Sequence, residues 1–298
     1  MKRLSRWFLP LLGIGQLLLA RAGMLNGRRA LLVGAVLEVL LLVVGVRQVL
    51  IARHAYRRER AAGLDVWAAL EDGLAVLMPR PIARLAVLEP KLWYCLGCWL
   101  ARRRTNTNEY AYQQRALIGP VLILAFLTLP AELLAVELLI PWLWLRLLLA
   151  VGSLYSLLWL LGFYASLRVL PHRLEPGQIR IRFGAFAEGF IPYGAIVGIT
   201  LDRRRTPGGR DGLQLAPGKE VAYLGTGGRT DITLTLREPL VLRGLRGPTT
   251  PVTLVCLAAD APERLVRELA HRSGQTVNLT LDAAPTNYWR VALRSRAM

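Results

Sequence analysis

Residues 116–167 read ALIGPVLILAFLTLPAELLAVELLIPWLWLRLLLAVGSLYSLLWLLGFYASL. Only Glu132, Glu137 and Arg146 are charged in this stretch of 52 residues. An α-helix needs about 20 apolar residues to cross the hydrocarbon core of a bilayer, so the stretch is long enough for two spans and a short turn. This pattern decides the fold class, because it predicts an α-helical membrane protein.

The turn between these two spans is placed at Pro141, because proline interrupts helices and no basic cluster lies nearby. We therefore predict spans at residues 116–138 and 143–167. Arg115 precedes the first span and Arg168 follows the second. Both ends are thus expected on the cytoplasmic side, where basic residues are enriched.

Two further apolar stretches lie near the N-terminus. Residues 7–25 provide 19 residues if one internal arginine extends to the headgroups, and residues 30–52 provide 23, with Glu38 among them. Each stretch is therefore long enough to span the bilayer. Four arginines follow within residues 53–60, which places this end in the cytoplasm by the positive-inside rule.

The first of these stretches has an alternative interpretation as a secretory signal peptide. Ala20, Arg21 and Ala22 have the small-x-small form that signal peptidase cleaves, so residues 1–22 would then be removed. An arginine beside the cleaved bond and an immediate second apolar stretch favour a span instead. Both interpretations place residue 25 outside, so the later topology is the same.

Residues 53–115 are expected to form an amphipathic helical insert in the cytoplasm. Apolar residues recur there at a spacing of three or four, as a one-sided helix requires: Val66, Leu70, Leu74, Leu77, Leu85, Leu88, Leu92, Cys95 and Trp99. Pro90 interrupts the pattern, so two short helices are expected. Tryptophans flanked by arginines favour a position in the headgroup layer. The alternative is a soluble helical hairpin.

From Arg168 the pattern changes to that of β-strands. Residues 180–182 and 232–236 alternate apolar and polar side chains, and glycines and prolines supply turns at short intervals. The last strand is predicted at residues 251–258. About six or seven short strands are expected in all.

One amphipathic helix is predicted to follow the strands, at residues 262–272. Pro262 lies in its first turn and Asp260 is expected to be its N-cap. Its predicted buried face consists of Leu265, Val266 and Leu269.

This order of elements resembles the pleckstrin-homology (PH-like) fold. The segments that carry the resemblance are LEPGQIRIRFG at 174–184, IPYGAI at 191–196, LREP at 236–239 and ADAPE at 259–263. Residues 168–273 are similar to bacterial PH-type domains that are fused to membrane spans. The resemblance implies a bent antiparallel sheet closed by a C-terminal helix, and a binding or docking module.

Eukaryotic PH domains bind phosphoinositides through a basic first hairpin, and the present chain departs from that pattern. Only Arg180 and Arg182 are basic there, and residues 184–187 at the hairpin tip are uncharged. This departure argues against phosphoinositide binding.

The sequence contains none of the common catalytic or cofactor-binding motifs. Cys95 and Cys98 form a C-x-x-C pair, but a zinc site needs two more ligands, and the three histidines are scattered. We therefore expect no enzyme activity, no cofactor and no metal.

Two sets of charged residues are candidate sites. Arg203, Arg204 and Arg205 form the densest basic loop of the C-terminal region, and we predict contact with anionic lipid. The alternative is an ordinary solvated loop. Glu38 and Glu132 lie within predicted spans, where ionisable residues are functional-site hypotheses by default. The alternative is charged pairs that hold the helices together.

The net charge of +18 is placed mostly beside the apolar stretches, which favours membrane orientation and headgroup contact over nucleic-acid binding. The predicted function is a membrane-anchored binding or scaffold protein whose PH-like domain docks lipid or another protein at the cytoplasmic face. The alternative is a small transporter, or an accessory subunit of a channel, that uses Glu38 and Glu132.

The predicted domain order is a transmembrane hairpin at 1–52, the insert at 53–115, a second transmembrane hairpin at 116–167, the PH-like domain at 168–273 and a basic tail at 274–298. Four spans place both termini in the cytoplasm.

Reporter fusions after Leu25, Arg104, Ile140 and Met298 test this topology. Alkaline phosphatase is expected to be active after Leu25 and Ile140, and a cytoplasmic fluorescent reporter after Arg104 and Met298, because the arginines are placed on the inner side. An external signal at Arg104 or Met298 contradicts the topology.

Overall fold

The computed structural model describes residues 27–63, 65–102, 108–216, 218, 220–245, 247–275 and 277–279. The chain divides into two compact units, Met1–Val87 and Leu88–Met298. The predicted span at residues 7–25, its alternative cleavage site and most of the basic tail lie outside the described residues.

The helices and strands follow the order that the sequence predicts, except for one short strand that precedes the apolar helices Ile118–Leu139 and Leu143–Val169. The helices are α1 (Gly27–Ala61), α2 (Val66–Ala75), α3 (Arg80–Leu100), α4 (Ile118–Leu139), α5 (Leu143–Val169) and α6 (Pro262–Ser273). The strands are β1 (Glu109–Tyr110), β2 (His172–Glu175), β3 (Gln178–Phe183), β4 (Ala187–Pro192), β5 (Ile196–Arg205), β6 (Gly212–Leu215), β7 (Val221–Gly225), β8 (Arg229–Leu240), β9 (Arg243–Gly244), β10 (Gly247–Pro248), β11 (Val252–Leu257) and β12 (Val277–Leu279).

Within the described residues, three helices are long and apolar enough to cross a membrane. They are Glu38–Ala61 of α1, with a mean hydropathy of 1.5, α4 with 2.1 and α5 with 1.8. The predicted spans at 116–138 and 143–167 coincide with α4 and α5 to within about two residues. Helix α1 continues past the predicted end of its span at Ala52, because the arginines that follow are good helix formers. The next glycine after Ala52 is Gly63, just beyond the end of the helix.

In the first unit, α1 and α2 pack closely. A Cβ atom at Gly73 of α2 would lie 3.1 Å from the carbonyl oxygen of Ala52 and 3.3 Å from Cβ of Tyr56, so a glycine permits this approach. The Arg84 guanidinium binds the Glu71 carboxylate at 2.6 Å and ties α3 to α2.

The prediction that Pro90 separates two short helices is wrong. The chain breaks at residues 76–79, before α3, and α3 runs through Pro90. Proline inside a helix removes one backbone hydrogen bond, but Leu88 and Leu92 on either side of Pro90 are buried. Packing of this kind stabilises the helix at the position that the local pattern predicts as a break.

The strands form two sheets. The first has the order β1-β2-β3-β4-β9-β10, and the second has the order β12-β5-β8-β11-β7-β6. Most neighbours are antiparallel, but β11 pairs with β7, and β12 with β5, in parallel. The PH-like resemblance predicts an antiparallel sheet, and these two parallel pairs depart from that prediction.

One hydrophobic core lies between the sheets and α6. Its fully buried side chains include Ile179, Ile181, Ile191, Ile199, Ile232, Leu234, Val255, Leu257, Leu265 and Leu269. The predicted helix at 262–272 is confirmed by α6, and its predicted apolar face is buried. The sequence therefore located both the closing helix and the side that it buries.

The predicted N-cap of α6 is wrong. Ala261 occupies the N-cap position without a side-chain cap. The Asp260 carboxylate instead accepts hydrogen bonds from the backbone N–H groups of Gln113 and Gln114, both at 3.1 Å. A contact across 146 residues of chain has thus replaced the local cap that spacing alone predicts.

The segment between α3 and α4 belongs to the β region. Strand β1 pairs with β2, and Tyr110, Tyr112 and Ala116 are part of the hydrophobic core. The described β region therefore extends the predicted 168–273 boundary by a piece of chain that precedes both apolar helices α4 and α5.

Tyr112 joins this segment to the start of the β region. It is 1% exposed; its hydroxyl donates to the carbonyl oxygen of Leu170 at 3.2 Å and accepts from the N–H of Gly184 at 2.6 Å. Its ring stacks on His172 with centroids 4.5 Å apart.

The variant Tyr112→Phe is expected to lower the free energy of unfolding by about 1–3 kcal/mol, because it leaves two buried backbone groups without a partner. Tyr193→Phe removes a hydrogen bond to the carbonyl oxygen of Glu175 and one with the Arg272 side chain. Both are only partly buried, so this variant should cost less. Thermal unfolding of the detergent-solubilised chain measures both. Equal stability of Tyr112→Phe and the unmodified chain would contradict the role of the hydroxyl.

Candidate functional site

The hairpin tip between β3 and β4 is packed against α5. Phe186 lies edge-on to Phe163, with ring centroids 4.6 Å apart, and contacts Trp159 at 6.0 Å. A Cβ atom at Gly184 would lie 2.5 Å from the Ser166 hydroxyl, so the close approach requires glycine. The uncharged tip at residues 184–187 is therefore covered by α5 of the same chain.

The two arginines of this hairpin have carboxylate partners within the first sheet. Arg180 binds Glu188 directly and lies 3.7 Å from Glu175, and Arg182 lies 3.3 Å from Glu188. Burial raises the pKa of Glu188, but Arg182 and Arg180 outweigh it, so the pKa is lowered overall. Both arginines of this hairpin are therefore held in ion pairs.

A different group of arginines surrounds the beginning of α4. The Asp211 carboxylate accepts hydrogen bonds from the N–H of Leu117 and the N–H of Gly228, both at 3.0 Å. These bonds attach two loops of the second sheet to the residue that precedes α4. A carboxylate at this position also compensates the positive end of the helix dipole.

Asp231 collects a second set of contacts at the same place. Its carboxylate lies 2.9 Å from the Arg115 guanidinium and 3.9 Å from that of Arg203. It also accepts a hydrogen bond from the N–H of Ala259 at 3.3 Å. The Asp231 side chain is only 4% exposed, so this carboxylate is a buried anchor for two arginines that extend towards solvent.

The three candidate arginines lie on a strand, and their prediction as a loop is wrong. They form the end of β5, where Arg204 pairs with Thr230 and Arg205 with Arg229 of β8. The β-strand continues because pairing with the long strand β8 overrides the turn signal of the following Pro207-Gly208-Gly209. Arg203 and Arg205 are exposed, whereas Arg204 is 25% exposed and binds Asp202 at 2.5 Å.

Together these residues define a basic rim around the base of α4. Its members are Arg115, Arg203, Arg205, Arg210 and Arg229, with Asp211 and Asp231 beneath them. Five guanidinium groups against two carboxylates leave an excess of three positive charges. Guanidinium groups bind phosphate oxygens by paired hydrogen bonds, so the rim is suited to phosphate-bearing ligands.

The sequence indicated only part of this rim. Arg115, Arg210 and Arg229 are isolated in the sequence, and β pairing and the Asp211 contacts bring them together. Arg115 immediately precedes the apolar stretch, and this local signal predicts topology but not the rim. Arg204 is adjacent in sequence to Arg203 and Arg205, but its side chain binds Asp202 on its own strand.

The two acidic candidates lie in different units. Glu38 is an exposed residue of α1. Glu132 is an exposed residue of α4 and accepts a hydrogen bond from the Thr128 hydroxyl at 3.1 Å. It borders a cleft of about 370 Å³ between α4 and α5, which Ser153 and Ser156 also line.

In the part of the chain that the structure describes, no group of three or more His, Cys, Asp or Glu side chains is arranged to hold a metal ion. Cys95 is buried and Cys98 half-buried on α3.

Comparison with known proteins gives no match to a protein-family model, to a curated protein or to a solved structure.

His172 lies at the junction of α5 and the β region, where its ring stacks on Tyr112. Its Nε2 lies 3.0 Å from the carbonyl oxygen of Ala258, and its Nδ1 accepts a hydrogen bond from the N–H of Arg182 at 3.1 Å. This pair of partners selects the neutral ring with its proton on Nε2. Burial lowers the pKa of His172 to about 4, although the Ala258 carbonyl opposes the shift.

Acid is therefore expected to destabilise this junction. The pKa of His172 is about 4 in the folded chain and has the ordinary value of 6.5 in the unfolded chain, so the unfolded chain binds more protons between these values. The free energy of unfolding is therefore highest above pH 6.5 and falls by roughly 3 kcal/mol as the pH is lowered to about 4. Unfolding midpoints of the solubilised chain at pH 7.5, 6 and 4.5 measure the loss.

The variant His172→Gln should be less stable at pH 7.5 and should show a shallower dependence on pH. His271→Gln, which changes an exposed histidine of α6, is the control and should keep the full dependence. An unchanged slope in His172→Gln would show that other groups cause the acid sensitivity.

Proposed function

We propose that this chain is a multi-pass protein of the cytoplasmic membrane, with a PH-like domain that contacts anionic lipid on the cytoplasmic side. Helices α1, α4 and α5, together with the predicted span at residues 7–25, provide the membrane anchor. The β region is a binding module, and it orients a docking surface at the headgroups.

The observation that supports this function best is the position of the basic rim. Asp211 holds the loops of the rim directly on Leu117, the residue before α4. If α4 crosses the bilayer, its first residues lie at the level of the headgroups, and the rim lies there too. Each basic residue near an anionic surface contributes about 1 kcal/mol of attraction.

The attachment of the β region to both apolar helices supports the same conclusion. The segment before α4 is bound through Asp211, Asp231 and Asp260, and the end of α5 is bound through Ser166 and the Gly184 tip. Two attachments fix the orientation of the domain, so the same arginines face the leaflet continuously. The rim therefore stabilises this orientation, while the apolar helices provide the affinity for the membrane.

A second candidate function is that of an accessory subunit of a transporter or channel. The observation in its favour is the cleft beside Glu132, in which a carboxylate and serine hydroxyls occur within otherwise apolar helices. Ionisable groups in spans often mark ion or proton paths. Ion flux into liposomes that contain the purified chain, and its loss in Glu132→Gln, would favour this function over lipid docking.

The lipid proposal is tested in nanodiscs with the full chain. In discs that contain phosphatidylglycerol, amide exchange of residues 203–211 and 226–231 should be slower than in discs of phosphatidylcholine alone. Arg203→Gln/Arg205→Gln should remove most of this difference, since these two side chains are exposed and carry two of the rim charges. Salt at 1 M should act similarly, because the Debye length falls to about 3 Å.

The matched control is Arg237→Gln/Arg267→Gln, which removes the same charge from exposed positions of β8 and α6. It should leave the lipid-dependent difference intact, and so should Arg204→Gln. If the rim variant and the control show the same lipid-dependent slowing of amide exchange, the rim is only a solvated edge and the proposed function is wrong.

A further inference from the structure

The C-terminal half of α3 is apolar on two opposite sides. One side is buried and consists of Leu88, Leu92, Cys95 and Leu96. The other side is exposed and consists of Glu89, Pro90, Trp93, Tyr94, Gly97 and Leu100. A soluble amphipathic helix has a polar outer face, so the exposed side of this helix calls for an apolar environment.

The buried side packs where α3 crosses α5. A Cβ atom at Gly162 would lie 3.2 Å from Cβ of Leu92, so the helices touch at a glycine. Trp99 lies edge-on to Tyr164 with centroids 5.8 Å apart, and the Lys91 ammonium lies 3.5 Å from the carbonyl oxygen of Ala185 at the hairpin tip. The crossing is thus next to the end of α5 that enters the β region.

The exposed side is continuous with the exposed surface of α5. The Tyr155 hydroxyl donates to the Glu89 carboxylate at 2.6 Å, and the Trp93 ring lies 6.3 Å from the Tyr155 ring. Tyr155 is itself 45% exposed and lies about two helical turns from Gly162, towards the middle of α5. A helix that contacts α5 at this depth shares the surroundings of the apolar helix.

We infer that residues 88–100 lie within the cytoplasmic leaflet as an interfacial helix, with lipid acyl chains against Trp93, Tyr94 and Leu100. Tryptophan and tyrosine prefer this layer, because an apolar ring there can keep its polar group at the wet boundary. The single carboxylate on this side, Glu89, has a hydroxyl partner in Tyr155. The inference rests on the proposed placement of α5 in the membrane and is independent of the basic rim.

Spin labels on a background of Cys95→Ala, Cys98→Ala and Cys256→Ala test this inference in nanodiscs. Labels are placed at Tyr94→Cys and Leu100→Cys, with Leu147→Cys on α5 as the lipid reference and Arg267→Cys on α6 as the aqueous reference. Relaxation by oxygen, which concentrates in the bilayer, is compared with relaxation by a water-soluble nickel chelate. The oxygen-to-nickel ratio at Tyr94 and Leu100 should match Leu147 and exceed Arg267.

The other outcomes overturn the inference in distinguishable ways. Nickel access at Tyr94 and Leu100 equal to that at Arg267 would place the helix in water. Low access to both reagents would show that protein covers this side of α3. An aqueous signal at Leu147 itself would remove α5 from the membrane, and the proposed function would fail with it.

Discussion

A single phenol hydroxyl connects three parts of the second unit. Tyr112 binds the carbonyl oxygen of Leu170, where α5 ends, and the N–H of Gly184, at the hairpin tip, while its own carbonyl oxygen accepts from the Thr226 hydroxyl. All of these groups are buried, so each would be costly to leave without a partner. These three bonds join the segment before α4 to the end of α5, to the hairpin tip of the first sheet and to a loop of the second sheet.

Three aspartates extend the same principle along the neighbouring chain. Asp260 binds the N–H groups of Gln113 and Gln114, Asp231 binds the Arg115 side chain, and Asp211 binds the N–H of Leu117. Each aspartate belongs to a different part of the β region. A segment with little regular structure is thereby held at almost every residue, and the arginines that surround it acquire fixed positions.

Sequence reasoning located the features that depend on composition over many residues. The apolar stretches predicted α4 and α5. The alternation of apolar and polar side chains predicted strands, and the helical spacing of the apolar residues that follow predicted α6. It failed where a distant contact decides the outcome. Buried leucines keep the helix continuous through Pro90, and Asp260 binds a remote segment instead of capping α6. Strand β1 forms only because it pairs with β2, which is distant in sequence. The rim was only partly predicted. Arg205 and Arg229 meet through strand pairing and Arg115 joins the rim through Asp231, and neither contact has a local signature.

The unequal lengths of the two apolar helices have a mechanical consequence. Helix α5 has 27 residues and α4 has 22, which correspond to about 40 Å and 33 Å at 1.5 Å per residue. Helices longer than the hydrocarbon core accommodate it by tilting. If both helices cross a bilayer as proposed, any tilt of the pair would turn the β region, because it is bound to both helices. The local bilayer thickness would then set the direction in which its surface faces.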